Sequence, residues 1–249
     1  MRKGVSTASD ASRPTGSCVG RMFDRIAPTY DLLNRLLSFG RDLSWRRKAA
    51  RCIEDSRLVR VADLATGTAD LPIVLLRERP HIVDAVGLDC SEAMLWIGRE
   101  KIHRCGLSDR VKLVRGDATS TSFPGESFDA VTMAFGIRNT PDARATLDEI
   151  HRLLRPGGTA VILEFSLPGN PVVRWGYLAY LRFVVPLIGA VVSGDRRAYR
   201  YLNQSIEAFH SPSAFCAMME QAGFRDVSAT PLTGGVASIY KGSKASSEV

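Results

Sequence analysis

Nothing in this chain spells a metal centre, a disulfide framework or an export leader. Its five cysteines (Cys18, Cys52, Cys90, Cys105, Cys216) and four histidines (His81, His103, His151, His210) form no CxxC, HxxxH or other ligand spacing. No metal site is expected, and free thiols suit a reducing compartment. The first twenty residues are polar and lack the apolar stretch of a secretory leader, so a cytoplasmic protein is expected. Glycine is scarce where a dinucleotide site needs it: the turn Ala65-Thr66-Gly67-Thr68-Ala69-Asp70 holds one glycine instead of the three of GxGxxG. That weakens NAD and leaves a smaller nucleoside. A membrane span needs roughly 20 uninterrupted apolar residues. The apolar stretch Val172 to Val192 is broken by Arg174, Arg182 and Pro186, and reads instead as an inserted helical lid, a pocket wall or an interfacial element.

What is present is a 249-residue chain, 45% apolar, long enough for one sizeable core. The net charge of +7 is unevenly placed: residues 1–60 hold 13 Lys and Arg against 6 Asp and Glu, while the remainder balances at 20 each. Such an excess suits an anionic membrane surface or nucleic acid, or is a solvated arm.

Residues 22–50 carry helical spacing broken at Pro28 and at Phe39-Gly40, predicting helix, turn, helix with Trp45 packed inward. Strands are predicted at Leu58 to Leu64, Val83 to Asp89, Val111 to Arg115, Phe128 to Ala134 and Thr159 to Phe165. Helices are predicted at Asp70 to Arg79, Ser91 to Cys105 and Asp142 to Leu154. A further helix at Pro212 to Ala222 and short strands near Val227 and at Ser238 to Tyr240 complete the pattern. Alternating strand and helix gives an α/β fold, a parallel sheet with helices on both faces.

The run VRVADLATGTAD, residues 59–70, is a strand emptying into a small-residue turn and a helix, and Asp89 ends the next strand. Such a turn exposes backbone N–H groups, and an acid at the following strand tip can grip a ribose diol. Gly67 to Asp70, then Asp89, then Gly116-Asp117-Ala118 stand in the order that S-adenosylmethionine requires, each at the C-terminal end of a strand. Taken singly, a strand-end Asp is more often a helix cap than a ligand.

Tyr30-Asp-Leu-Leu-Asn34, Ser38 and Trp45 resemble one signature of the quinone-biosynthesis C-methyltransferases, the ubiquinone and menaquinone methylases. Arg152-Leu-Leu-Arg-Pro-Gly-Gly-Thr-Ala-Val-Ile-Leu-Glu164-Phe-Ser166 resembles the second. Phe135-Gly-Ile-Arg138-Asn139, Tyr199 to Leu202 and Leu232 to Val236 are also similar to that family. The chain departs from the pattern at Ala69, Ala134 and Asp42, where glycine, serine and (in some members) histidine are usual. Ala69 is expected to narrow the turn slightly, and Ala134 to remove one cofactor hydrogen bond.

The resemblance implies a class I S-adenosylmethionine-dependent methyltransferase, an α/β, Rossmann-like fold with a seven-stranded mostly parallel sheet and helices on both faces, plus N-terminal helices and a helical insertion. It implies cofactor binding by Gly67, Thr68, Asp70, Asp89, Asp117, Ala118 and Ala134, and catalysis by Arg138, Tyr30 and Asn139. Arg138 would stabilise a developing quinol oxyanion, and water held by Arg138, Asn139 or Tyr30 would relay the proton; the plainer reading of Arg138 is a surface salt bridge to Asp142 or Asp148. For Tyr30 and Asn34 the plainer reading is helix packing and capping. The implied acceptor is a prenylated quinol, and the departures at Ala69, Ala134 and Asp42 look more like the menaquinone-only members, which favours demethylmenaquinol with a methoxy-polyprenyl-benzoquinol as the alternative. Its tail is expected against residues 172–192, with Trp175 and Phe183 in the groove, and the enzyme on the inner face of the cytoplasmic membrane. Homo-oligomer formation is left open.

The expected organisation is a disordered arm over 1–20, one methyltransferase domain over 21–242 (N-terminal helices 21–57, cofactor core 58–166, insertion 167–210, C-terminal core 211–242) and a tail over 243–249. A nucleic-acid methyltransferase is disfavoured: the chain has Ala134-Phe-Gly-Ile-Arg-Asn where amino-methylases carry Asn/Asp-Pro-Pro-aromatic, and no cysteine follows a proline. A cofactor-binding scaffold and small-molecule O- or N-methylation remain as rivals.

Overall fold

The sheet runs β3-β2-β1-β4-β5-β7-β6, with β1 to β5 parallel and β7 antiparallel to both of its neighbours. Its strands are β1 (Val59–Leu64), β2 (Ile82–Asp89), β3 (Val111–Arg115), β4 (Phe128–Ala134), β5 (Leu154–Phe165), β6 (Arg225–Leu232) and β7 (Ala237–Ser243). In this computed structural model, residues 16–54, 58–192 and 196–246 are described. The strand order reverses between β1 and β4, which opens a crevice at the C-terminal ends of those strands.

Alternation along each strand feeds two cores. Val59 and Val61 of β1 and Val161 and Leu163 of β5 enter one, with α2 (Arg41–Ala50) and α3 (Asp70–Glu78). Ala62, Leu64, Ala160 and Ile162 enter the other, with α5 (Ala143–Leu153) and α9 (Pro212–Gln221). The caps explain the helix starts. Ser91 accepts the Met94 N–H to open α4 (Glu92–Arg104), and Asp142 accepts the N–H groups of Arg144 and Ala145 to open α5.

Four local readings change. α1 (Gly16–Leu37) runs through Pro28 without a break. Pro28 lies on the exposed side, while Ile26, Ala27 and Leu33 are buried against Met94, Leu181 and Val185. That burial outweighs the roughly 3 kcal/mol helix cost of the proline. Residues 16–20 of the expected disordered arm are therefore helical, whereas 1–15 lie outside the described residues. β5 starts at Leu154, which pairs with Phe128 before a bulge, and not at Thr159. In the expected tail, Lys244 still exchanges backbone hydrogen bonds with Gly157 and Gly158.

The insertion consists of α6 (Pro171–Ala179), a π turn at Tyr180–Val184, α7 (Val185–Val192) and α8 (Arg196–Glu207). Among the described residues one helix, Pro171–Ala190, is long and apolar enough to cross a membrane. It is also stitched to the molecule: Leu181 and Val185 are buried with α1 and α8, and Arg182 pairs with Glu207 at 2.6 Å.

Candidate functional site

A cavity of about 480 Å³ opens at the carboxyl ends of β1, β2, β3 and β4 and is closed by the Gly20 to Tyr30 face of α1. Asp89, at the end of β2, is buried; its Oδ2 accepts the Gly67 N–H at 2.8 Å and its Oδ1 the Ser91 N–H at 2.9 Å. Burial raises its carboxyl, and those two amides pull it back. Asp117 and Ala118 line the same cavity, and Asp117 Oδ1 accepts the N–H and hydroxyl of Thr119, both at 2.8 Å. After β4 the wall is Ala134, Phe135 and Gly136. A Cβ on Gly136 would meet the Ala65 Cβ at 2.6 Å, so only glycine lets these two turns approach. Ala65, Ala69 and Phe135 hold left-handed backbone, with φ of 50°, 63° and 58°. Ala69 thus stands in the left-handed conformation that glycine adopts without cost, and holds it under strain.

Of the expected cofactor residues, Gly67, Asp89, Asp117, Ala118 and Ala134 line this cavity, while Thr68 and Asp70 do not. The Thr68 hydroxyl instead donates to Asp31 at 2.6 Å and accepts from Lys101 at 3.1 Å. Asp70 takes Lys101 and, at 2.7 Å, Arg35. Burial would raise Asp70, but the charges of Arg46, Lys101 and Arg35 outweigh it and hold the carboxyl below its usual range. These side chains form a polar clasp that ties α1 to the turn and to α4. Beneath the turn, Asp63 accepts the hydroxyls of Thr66 (2.7 Å) and Thr132 (2.6 Å) and is pushed up to about 7 by burial.

A second cavity, about 440 Å³ and mostly apolar, lies between α1, α2, the end of β5 and the insertion. Phe23, Tyr30, Phe135 and Asn139 line both cavities, so the two meet there. Burial raises the Tyr30 phenol, opposed by a hydrogen bond with Asn34 and by the charges of Arg138 and Arg46. Asn139 donates to the Phe135 carbonyl at 3.1 Å, and its Oδ1 is buried without a partner.

Arg138 lines the second cavity and is nearly enclosed. It pairs with the fully buried Glu164 at 2.5 Å, donates to the Phe135 carbonyl at 2.8 Å and lies over the Phe165 ring. Burial raises the Glu164 carboxyl; the Arg138 charge and the Phe165 and Arg138 amides draw it down. A surface salt bridge is thereby corrected: Asp142 caps α5, and Asp148 pairs with Arg144.

The tail reading also changes. Trp175 and Phe183 are each 75% exposed and absent from the cavity, whose insertion wall is Tyr177, Tyr180, Leu181 and Val185 with one face of α8, from Ala198 to Ile206. Two residues given no role from sequence belong to the site: Glu164, inside the second signature, and Arg46, next to Trp45. For Arg46 the signal was the Asp42–Arg46 spacing of four on a helix, which is an ion-pair distance.

The curated relatives match along most of their length. A "Demethylmenaquinone methyltransferase" of Thermus thermophilus is 47% identical over 223 residues, covering 90% of this chain and 100% of that one. A "Ubiquinone/menaquinone biosynthesis C-methyltransferase UbiE" of Geobacter sulfurreducens is 44% identical over 229 residues, 92% of this chain and 89% of the relative. Among solved structures, an S-adenosylmethionine-dependent methyltransferase of Thermotoga maritima aligns with a TM-score of 0.61 at 18% identity, over 91% of this chain and 99% of that one, a likeness of fold. The model of the ubiE/COQ5 methyltransferase family matches residues 8–244. With the strand-end cavity, the aromatic cavity beside it and these matches together, the chain belongs to the ubiE/COQ5 methyltransferase family.

Proposed function

We propose that this chain methylates a ring carbon of a prenylated quinol, demethylmenaquinol in menaquinone biosynthesis, with S-adenosylmethionine as methyl donor, and that residues 21–242 are the domain that does so. The observation that carries this reading is the meeting of a polar strand-end cavity with an apolar, aromatic one at Tyr30, Phe135 and Asn139. The residues present fit the cofactor. Asp89 offers two oxygens to a ribose diol, Asp117 and Ala118 stand where the adenine edge would lie, and the unpartnered Asn139 Oδ1 sits at the junction.

The cofactor supplies an activated methyl on a sulfonium, so the protein's share is alignment and control of the acceptor's charge. Ionisation of a quinol hydroxyl makes the neighbouring ring carbon nucleophilic. Arg138, fixed by Glu164 and the Phe135 carbonyl, favours that oxyanion without itself losing a proton. Water held by Tyr30 and Asn139 takes up the hydroxyl proton and, after methyl transfer, the ring proton, and one proton returns to the oxygen, so that one proton is released for each methyl transferred. Tyr177, Tyr180, Leu181 and Val185 exclude water from the start of the tail.

The same reading places the enzyme on the cytoplasmic membrane surface. Val172, Trp175, Phe183 and Leu187 expose an apolar stripe on Pro171–Ala190. Phe39, 80% exposed, joins it to the cavity mouth through Tyr180, 6.0 Å away. Turnover with a short-tailed demethylnaphthoquinol tests the assignment by release of S-adenosylhomocysteine. Reaction of a methoxybenzoquinol alone would move the acceptor to the ubiquinone route, and no reaction with either would remove the proposal.

A further inference from the structure

Arg138 is not the only guanidinium enclosed at the acceptor cavity. Arg46, on α2, lines the same cavity, is 5% exposed and is fixed from one side: its Nη1 donates to Asp42 Oδ2 at 2.9 Å. Asp42 is itself buried and shared with Arg35. The Arg46 guanidinium lies over the Phe135 ring, 5.2 Å from its centre, and that of Arg138 lies over the Phe165 ring at 5.0 Å. The two rings stack on each other at 4.5 Å and 33°. An aromatic pair in the cavity wall therefore carries a cation on each member.

Both cations are incompletely used. Arg46 Nε and Arg138 Nε are buried and have no hydrogen-bond partner, a costly condition for a donor unless a ligand completes it. A quinol has two ring oxygens on opposite sides, and a monophenol has one. We propose that Arg46 binds the second ring oxygen, the one Arg138 does not serve, and so selects a doubly oxygenated ring over a monophenol. This rests on the quinol reading above. The methionyl carboxylate of the cofactor is the competing anion, but Arg46 lines the acceptor cavity and not the strand-end cavity.

The test compares wild type, Arg46→Met, Arg46→Lys and the double variant Asp42→Asn/Arg46→Met, which removes both partners of the buried pair at once. Each is checked by thermal melting. Inhibition constants are measured under anaerobic conditions for tail-less naphthalene-1,4-diol and for 1-naphthol, and S-adenosylmethionine affinity by calorimetry. The expected result is that wild type prefers the diol. Arg46→Met and the double variant lose at least about tenfold on the diol and little on 1-naphthol, Arg46→Lys recovers part of the preference, and cofactor affinity is unchanged.

An unchanged diol preference in folded variants overturns the proposal and leaves Arg46 as packing. A weakened cofactor affinity with the preference intact overturns it in favour of the methionyl carboxylate. Failure of wild type itself to bind the diol counts against the quinol reading, and this inference falls with it.

Discussion

The two cavities are built by different means. The strand-end cavity is drawn chiefly from residues 65–141, from turns whose backbone is placed by the sheet, with one face of α1 as cover. The acceptor cavity collects side chains between Met22 and Val236, from helices and turns that are distant in sequence. The first is fixed by topology and suits a ligand shared across the fold. The second is fixed by packing and ion pairing, with Arg138 and Arg46 each held in its wall by a buried carboxylate.

That contrast breaks most readily at Arg138. Arg138→Ala is expected to lower turnover on the quinol by about two orders of magnitude, the usual scale for one oxyanion-stabilising donor. Arg138→Lys recovers little, because a point charge does not reproduce the guanidinium fork. Calorimetry is expected to find cofactor affinity unchanged, and a parallel loss there would mean that the cavities are not separable. Asp89→Ala is the reciprocal variant. It is expected to weaken S-adenosylmethionine by at least about tenfold, since charge-assisted bonds are worth on the order of 1.5 to 3 kcal/mol. Turnover at saturating cofactor should change far less.

A smaller effect sharpens the acceptor side. Val185→Ser is expected to reduce kcat/KM about fivefold on a long-tailed quinol, from roughly 1 kcal/mol of lost apolar burial, and to leave a tail-less analogue unaffected. Trp175→Ser with Phe183→Ser should instead weaken vesicle flotation, because those side chains face outward.

The gentlest test is pH. Burial raises Asp63 from 3.8 to about 7, the Thr132 and Thr66 hydroxyls and the Arg46 charge pull it down, and Asp89 pushes it up. The folded state then binds a proton that the unfolded state releases, so stability is lost as pH rises from about 4 to about 7. Asp63→Asn should remove that loss. Melting temperatures of wild type and variant are expected to diverge across this window in the variant's favour, and parallel curves would mean that Asp63 is ionised in the fold.

The same contrast explains what the sequence made legible. The strands and the cofactor order Gly67, Asp89, Asp117 follow from local patterns, because strand ends in a parallel sheet all reach one crevice. The Thr68 and Asp70 side chains pair with α1, because a turn's spacing does not say which side chains face the cavity and which face a neighbouring helix. Residues 172–192 are apolar at most positions, with only Arg174 and Arg182 charged, so periodicity gives little phase, and the π turn at Tyr180–Val184 shifts the faces again. Glu164 depends on a partner 26 residues away, which no local pattern reports, and for Arg46 the Asp42 spacing signals an ion pair but not its place over Phe135 in the cavity.

The central claim is that the junction at Tyr30, Phe135 and Asn139 delivers a methyl group to a quinol ring carbon. It is tested most directly by tracing the ¹³C-methyl of labelled S-adenosylmethionine into a short-tailed demethylnaphthoquinol by NMR. The account predicts a ring-bound methyl on the carbon beside a quinol oxygen, absent with Arg138→Ala at matched times. A methyl ether, or labelled product formed equally well by that variant, would contradict it.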